Sequence, residues 1–185
     1  LARSQSEPDV FEPLACSVAT VDAMGTPDVR TVLMRFFDER GPGFVTNTLS
    51  AKGLELADNP RIALAITWPA MFRAIRFRGT AVPLDRDEVT EYFQTRPWGS
   101  RVGAWASHQS QPIAQRADLL SELTAYEEKY PDHGQPDDVP VPSHWGGYRV
   151  VAETVEFWAG QPSRLHDRIR YAKSGAGSLA DPVWS

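Results

Sequence analysis

The sequence contains a single cysteine among its 185 residues, which excludes an internal disulfide. Cys16 lies in the apolar run "LACSVATV" and is predicted to be a small buried residue rather than a nucleophile. There is no GxSxG motif, and the four histidines are dispersed without HxxxH or HExxH spacing. These absences argue against nucleophilic hydrolysis and against a metal site.

Long apolar runs and an excess of positive charge are also missing. The apolar stretches are far shorter than the roughly 20 residues of a membrane span, and the N-terminus has no signal-peptide core. The net charge is −5 and the pI is near 5.4, which disfavours a nucleic-acid or anionic membrane surface. We therefore expect a soluble cytoplasmic protein whose few clustered cations bind a small ligand.

Glycine-rich nucleotide-binding turns are absent as well. No strand-like segment precedes a GxGxxG or GxxxxGK turn, so a Rossmann or P-loop fold is not predicted and any phosphate must be held by side chains. The length and the 42% hydrophobic content suit one globular domain. We assign residues 1–13 to the remnant of an N-terminal arm and 14–185 to a single domain.

The hydrophobic pattern predicts an antiparallel barrel. β-branched and aromatic residues alternate between turn signals, and amphipathic helices begin at Ser50 and Asp85, the second of them ending at Pro97. A longer helix is predicted over 113–131. The predicted strands lie within 14–38 (two strands), 41–48, 61–69, 72–84, 146–160 and 163–173. The expected class is α+β, mainly antiparallel β, with six or seven strands and inserted helices.

Two clusters of side chains could hold anions. The first combines Arg30 and Arg35 with Thr46, Ser50 and Lys52, where the start of a helix adds free N–H groups. The second cluster offers a phenol, a guanidinium and a hydroxyl, from Tyr92, Arg96 and Ser100, with Ser100 just past the helix end. Taken alone, each cluster is explained more simply by helix caps and solvated cations. Two clusters in one acidic chain favour anion binding.

A third row of donors lies in "SRLHDRIRY". As an extended strand it would place Arg164, His166, Arg168 and Arg170 on one face, either in solvent or against a ligand. Trp158 just before it could flank a planar ligand. Without a nucleophile, metal or base dyad, catalysis would need a cofactor that carries out the difficult step.

Five ordered motifs then resemble those of the pyridoxamine 5′-phosphate oxidase family. They are "RTVLMRFFDERG", "SAKGLELADNP", "EYFQTRPWGSRVGAWASHQS", "PVPSHWGGYRV" and "VEFWAGQPSRLHDRIRY", and the match runs from about residue 14 to 171. The resemblance implies a homodimeric FMN-binding split barrel that oxidises pyridoxine or pyridoxamine phosphate to pyridoxal phosphate. Oxygen would reoxidise the flavin and yield hydrogen peroxide.

The resemblance also implies roles for individual residues. The FMN contacts would be Arg30, Val45, Thr46, Ser50, Lys52, Gln109, Ser110, Trp158 and Arg168. The substrate contacts would be Arg35, Tyr92, Arg96 and Ser100 at the phosphate, with Arg164 and His166, the implied catalytic pair, over the pyridine ring.

The chain departs from the family pattern at three positions. Arg35 stands where the family usually has lysine, Ala51 replaces a frequent arginine, and Ala74 aligns with a glutamine that usually contacts the flavin. Two alternatives stay open, and the second is favoured if the changes at Ala51 and Ala74 cost catalysis. One is a related flavin oxidase of the phenazine-biosynthesis type, and the other is a non-catalytic protein that binds flavin or pyridoxal phosphate.

Overall fold

The computed structural model describes residues 1–6, 8–173 and 183–184. In chain order its elements are α1 (Ala2–Ser6), β1 (Ala15–Val21), β2 (Pro27–Asp38), β3 (Gly41–Asn47), α2 (Ala51–Asp58), β4 (Arg61–Trp68), β5 (Arg73–Pro83), α3 (Arg86–Gln94), α4 (Trp98–Ala106), α5 (Arg116–Lys129), β6 (Trp145–Ala159), β7 (Asp167–Ala172) and β8 (Val183–Trp184). Short 3-10 turns cover Pro69–Met71 and Pro162–Arg164.

The strands form one antiparallel sheet that closes on itself. The strand order is β3-β2-β1-β4-β5-β6-β7-β8, and an additional pairing of β3 with β6 closes the first six strands into a barrel. Strands β7 and β8 extend the sheet beyond β6. The predicted α+β class, mainly antiparallel with inserted helices, is confirmed.

Alternating side chains explain why these segments form barrel strands. In β4, Ile62, Leu64, Ile66 and Trp68 are all buried, while the residues between them are exposed or half-buried. A period of two places alternate side chains on opposite faces of a strand, so one face of β4 supplies the core.

The chain divides into two compact units, which we name here and describe separately. The barrel unit comprises Leu1–Phe44, Glu55–Val82 and Tyr148–Ser185, and the helical unit comprises Val45–Leu54 and Pro83–Gly147. The helical unit has its own core, formed by Val89, Phe93, Val102, Val139 and Trp145. The assignment of 1–13 to an arm and 14–185 to one domain stays a prediction.

Helix α4 was not predicted from the sequence. Pro97 reads as a helix end, but it is the N-cap of a new helix, Trp98–Ala106, so Ser100 lies in the first turn of α4 rather than past a helix end. Asp85 does occupy the N-cap of α3, although its side chain makes no capping hydrogen bond. Residues 2–6, to which the sequence assigned no structure, form the short helix α1.

The predicted strand over 163–173 was wrong in its first part. Residues Pro162–Arg164 form a 3-10 turn, and the strand begins only at Asp167. Ser163 and Arg164 have φ values of 58° and 63°, which an extended strand does not allow. The expected alternation of Arg164 and His166 with Arg168 on one strand face therefore does not exist.

Within the described ranges, no helix is long and apolar enough to cross a bilayer. The cytoplasmic location stays a prediction.

Cys16 is expected to be chemically inert in the folded protein. Its side chain is 2% exposed, and burial raises the pKa of the thiol to about 12, against a smaller opposing effect of a backbone hydrogen bond from Met34. Because the thiolate is the reactive form, a disulfide reagent at pH 8 should not modify the native protein and should modify one thiol per chain after unfolding. The Cys16→Ser variant, which has no thiol, is the control for both the native and the unfolded protein. Rapid reaction of the native protein would contradict the burial of Cys16.

Candidate functional site

A cavity in the helical unit brings together side chains from both predicted anion clusters. It has a volume of about 370 Å³. Arg96 and Ser100 line it together with Thr46 and Gln109. The other residues lining it are Val45, Asn47, Gly103, Ala104, Ser107 and Trp145. Residues expected at the flavin and residues expected at the substrate phosphate thus share one cavity.

A buried lysine organises the first cluster. Lys52 is only 5% exposed, and its Nζ donates hydrogen bonds to Thr46 Oγ1 at 3.2 Å, Ser50 Oγ at 3.1 Å and Gln109 Oε1 at 2.7 Å. These four residues were all predicted FMN contacts, and the structure places them together. Ser110, the next predicted contact, follows Gln109 with a positive φ of 69°.

The start of α2 explains how Ser50 and Lys52 are placed. The Ser50 hydroxyl donates to the Asn47 carbonyl at 2.7 Å and accepts the N–H of Gly53 at 3.4 Å, as a helix cap does. The predicted capping role of Ser50 is confirmed. The helix dipole at this end favours an anion.

Arg96 is held against aromatic rings. Its guanidinium carbon lies 4.8 Å from the centre of the Trp145 ring and 5.6 Å from that of Phe93. The Tyr92 ring is parallel to that of Trp145, with the centroids 6.1 Å apart. Cation–π contact limits the positions open to the guanidinium, so Arg96 is pre-organised at the cavity that it lines.

Arg101, the residue after Ser100, anchors helix α4. Arg101 is 4% exposed and donates to the carbonyl oxygens of Gln135, at 3.1 and 3.2 Å, and Pro136. A buried guanidinium that holds two loop carbonyls ties the loop after α5 to α4 and thereby supports the wall that bears Ser100.

In the barrel unit, Arg30 is engaged by carboxylates. It forms ion pairs with Asp28 at 2.6 Å and Glu55 at 3.0 Å, and it also donates to the hydroxyl of Thr20. An anion that bound Arg30 would have to compete with these carboxylates. The role of Arg30 as an FMN contact stays a prediction.

Arg35 lies at a β-bulge. Met34 pairs with Phe44 and Phe36 pairs with Gly43, so Arg35 is the extra residue between two paired positions, and its side chain is exposed. Bulges redirect side chains and are frequent near functional sites. The sequence contained no signal for this irregularity.

A second cavity, in the barrel unit, contains two positions that were predicted to adjoin the flavin. Its volume is about 310 Å³, and Ala74 and Trp158 both line it. Arg168, the other predicted flavin contact on this side, donates to Glu156 at 3.0 Å. The register places Arg168 opposite Trp158 across β6 and β7.

The predicted catalytic pair lies in the loop before β7. Arg164 is exposed in the 3-10 turn, and His166 is half-buried with its ring centre 4.9 Å from that of Trp158. Among the residues that the structure describes, no three His, Cys, Asp or Glu side chains are grouped to hold a metal.

Sequence reasoning missed three polar or aromatic side chains of the first cavity: Asn47, Ser107 and Trp145. Asn47 directly follows Thr46, and its amide donates to the Ser107 carbonyl at 3.4 Å. Trp145 belongs to the quoted motif "SHWGGY" and could have been suspected from it, whereas Ser107 ends a helix that was not predicted.

Comparison with known proteins identifies the family of the chain. A protein-family model described as pyridoxamine 5′-phosphate oxidase matches residues 7–130. A second family model, described as the pyridoxine 5′-phosphate oxidase C-terminal dimerisation region, matches residues 145–185. The pyridoxine/pyridoxamine 5′-phosphate oxidase of Kineococcus radiotolerans is 48% identical over 96% of this chain and 79% of that protein. The Haemophilus influenzae (strain Rd) protein of the same name is 48% identical over 89% of this chain and 76% of that protein.

Solved structures show the same fold. PhzG from Burkholderia lata, in complex with tetrahydrophenazine-1-carboxylic acid, superposes with a TM-score of 0.86 at 28% identity, covering 100% of this chain and 90% of that one. A pyridoxamine 5′-phosphate oxidase-related, FMN-binding protein of Nostoc punctiforme superposes with a TM-score of 0.77 at 18% identity. The superposition covers 99% of this chain and 92% of that one. With two family models that together match most of its length, and relatives nearly half identical to it, the chain belongs to the pyridoxamine 5′-phosphate oxidase family.

Proposed function

We propose that the protein is an FMN-dependent oxidase that converts pyridoxine or pyridoxamine 5′-phosphate to pyridoxal 5′-phosphate and reduces oxygen to hydrogen peroxide. The observation that carries the proposal is the cavity in which Arg96 and Ser100 lie with Thr46 and Gln109. Membership of the family supports the same reaction.

The donors of the helical unit suit the phosphate of FMN. Lys52 provides an ammonium group, and Thr46 and Ser50 provide hydroxyls beside the start of α2. These groups are typical phosphate ligands in proteins. Bound FMN would supply the two-electron acceptor for the oxidation.

The chain's own residues bind and orient the substrate. In this proposal Arg96, Tyr92, Ser100 and Arg35 bind the phosphate, and Arg164 and His166 hold the pyridine ring. Arg96 offers a planar fork of donors that matches phosphate oxygens, and its contact with Trp145 reduces the freedom lost on binding. The catalytic contribution of these residues is positioning and electrostatic stabilisation.

A related oxidase of the phenazine type is the second candidate. The structural similarity to PhzG supports it. Tyr92 and Arg96 around Trp145, with Ser100 at the same cavity as Arg96, favour a phosphorylated substrate instead.

Anaerobic spectroscopy tests the proposal directly. The flavin absorbance of the FMN-loaded protein should bleach when pyridoxine phosphate is added without oxygen, and air should restore it with release of hydrogen peroxide. Bound flavin that no B6 phosphate can bleach would refute the oxidase. A reduced phenazine precursor should then be tried, since bleaching by it alone would support the second candidate.

We also propose that the protein acts as a homodimer. The match of residues 145–185 to a C-terminal dimerisation region supports this state. Light scattering that finds a monomer with FMN still bound would contradict it.

Substitution of Ala74 by glutamine is expected to tighten FMN binding. Ala74 lines the same cavity as Trp158, and an amide there could form one hydrogen bond to the flavin ring. One neutral hydrogen bond contributes about 0.5 to 1.5 kcal/mol, so the dissociation constant should fall roughly 2- to 10-fold in a fluorescence titration of the apoprotein. Ala74→Leu is the control, because it adds bulk without an amide. If the leucine variant binds FMN as tightly as the glutamine variant, the proposed contact is wrong.

A further inference from the structure

Gln161 donates two of the hydrogen bonds that hold the loop from β6 to β7. The backbone N–H of Gln161 donates to Nδ1 of His166 at 3.1 Å. The side-chain amide of Gln161 donates to Oδ2 of Asp167 at 2.6 Å. Gln161 therefore contacts both the histidine and the residue that follows it.

The backbone of this loop needs such support. Ser163 and Arg164 both have positive φ values, 58° and 63°, in the left-handed region that residues other than glycine rarely adopt. Consecutive residues in this region persist only where surrounding contacts hold them. The hydrogen bond from the Gly160 N–H to the Phe72 carbonyl, at 2.8 Å, anchors the start of the loop, and the contacts of Gln161 hold its end.

The contact with Nδ1 determines the tautomer of His166. A neutral imidazole carries one N–H, and a backbone amide can only donate, so the nitrogen that accepts from Gln161 bears no proton. The proton of the neutral ring then lies on Nε2. The ring of Trp158, 4.9 Å away, packs beside the imidazole and limits its rotation.

We infer that Gln161 is a positioning residue that holds His166 as the Nε2–H tautomer, so that His166 acts on the ligand as a hydrogen-bond donor and not as a proton acceptor. The inference rests on the proposed function for the identity of the ligand, whereas the tautomer itself does not depend on it. The ligand atom that faces His166 is then an acceptor, such as an anionic oxygen or a nitrogen lone pair.

Two substitutions of similar size separate positioning from a merely structural role. Neither substitution removes the backbone N–H that donates to His166, so both act through the side-chain bond to Asp167, which holds that N–H opposite Nδ1. Gln161→Glu replaces the side-chain donor by a carboxylate that repels Asp167, whereas Gln161→Lys keeps a donor to Asp167. Residue 161 is exposed, so both variants should fold, and their thermal melting confirms it.

The primary measurement is nitrogen-15 NMR of the histidine side chains in the FMN-loaded protein without substrate, with the His166 signals assigned by their loss in His166→Gln. At a pH where the ring is neutral, the unmutated protein and Gln161→Lys should show His166 with its proton on Nε2. Gln161→Glu should show averaging between the two tautomers. A proton on Nδ1 in the unmutated protein, or a Gln161→Glu spectrum identical to the unmutated one, would overturn the inference.

Turnover supplies the second measurement. In Gln161→Glu, kcat for pyridoxine phosphate should fall by roughly 2- to 10-fold, the effect of about one misplaced hydrogen bond, with little change in KM, and Gln161→Lys should restore it. Equal kcat in the two variants would overturn the positioning role. If the unmutated protein does not oxidise B6 phosphates at all but shows the expected tautomer, the proposed function fails and the hydrogen bond from Gln161 stands.

Discussion

Replacement of Arg96 by alanine is expected to weaken the binding of a phosphorylated B6 substrate by about 1.5 to 3 kcal/mol, or roughly 10- to 150-fold in apparent affinity. The guanidinium lies on Trp145 at the wall of the cavity, where it can donate charge-assisted hydrogen bonds to phosphate oxygens. Lys52, with its partners Thr46, Ser50 and Gln109, is untouched by this change, so FMN affinity should hardly move.

Two substrates and two variants make this prediction specific. Unphosphorylated pyridoxine should be a poor substrate for the unmutated protein, whereas Arg96→Ala should discriminate far less between pyridoxine and its phosphate, measured as kcat/KM. Arg96→Lys is the matched control. It keeps the charge without the planar fork and should give an intermediate ratio. Equal efficiency of the unmutated protein on both substrates would refute the phosphate site and favour the phenazine-type oxidase.

Replacement of Phe93 by alanine is expected to destabilise the fold by about 3 to 5 kcal/mol, since it leaves a large cavity in a closely packed core. Phe93 is fully buried, and its ring meets that of Trp145 edge to face with the centroids 4.8 Å apart. For a chain of this size the loss corresponds to a melting temperature lower by roughly 6 to 20 °C. Because Trp145 also supports Arg96, substrate binding should weaken as well.

Two matched variants test whether the loss of stability comes from the buried position of Phe93. Phe93→Leu retains much of the apolar volume and should reduce the free energy of unfolding clearly less than Phe93→Ala does. Leu120→Ala removes a side chain that is 48% exposed on α5 and should change stability by no more than about 0.5 kcal/mol. A melting temperature for Phe93→Ala that equals that of Leu120→Ala would show that Phe93 does not support the core of the helical unit.

Much of the candidate site could be predicted because its motifs are short and ordered along the chain. Thr46, Ser50 and Lys52 lie within one strand-to-helix junction, where the cap and the spacing are local properties, and the structure places them together. Ser107 was missed because it reaches the cavity at the end of α4, a helix that no local pattern encodes. Asn47 was missed although it directly follows Thr46. The roles assigned to individual residues stay predictions.

Two errors have the same physical origin. Gly99 and Gly103 lower the helix propensity of α4, and Pro97 looks like a terminator, yet the burial of Val102 and Ala106 and the hydrogen bonds of Arg101 stabilise the helix. In the loop before β7, local alternation predicted a strand, but the contacts of Gln161 and Gly160 hold Ser163 and Arg164 in left-handed conformations.

By itself the sequence determined the class of the fold and the chemistry of its donors, because alternation, caps and side-chain type depend on neighbours along the chain. Only the tertiary structure decided which donors meet. Lys52 donates a hydrogen bond to Gln109, which is 57 residues away along the chain. The guanidinium of Arg96 lies over the ring of Trp145 in the helical unit. Such contacts depend on how distant segments bury their apolar faces together, a property of the packed chain that no local segment contains.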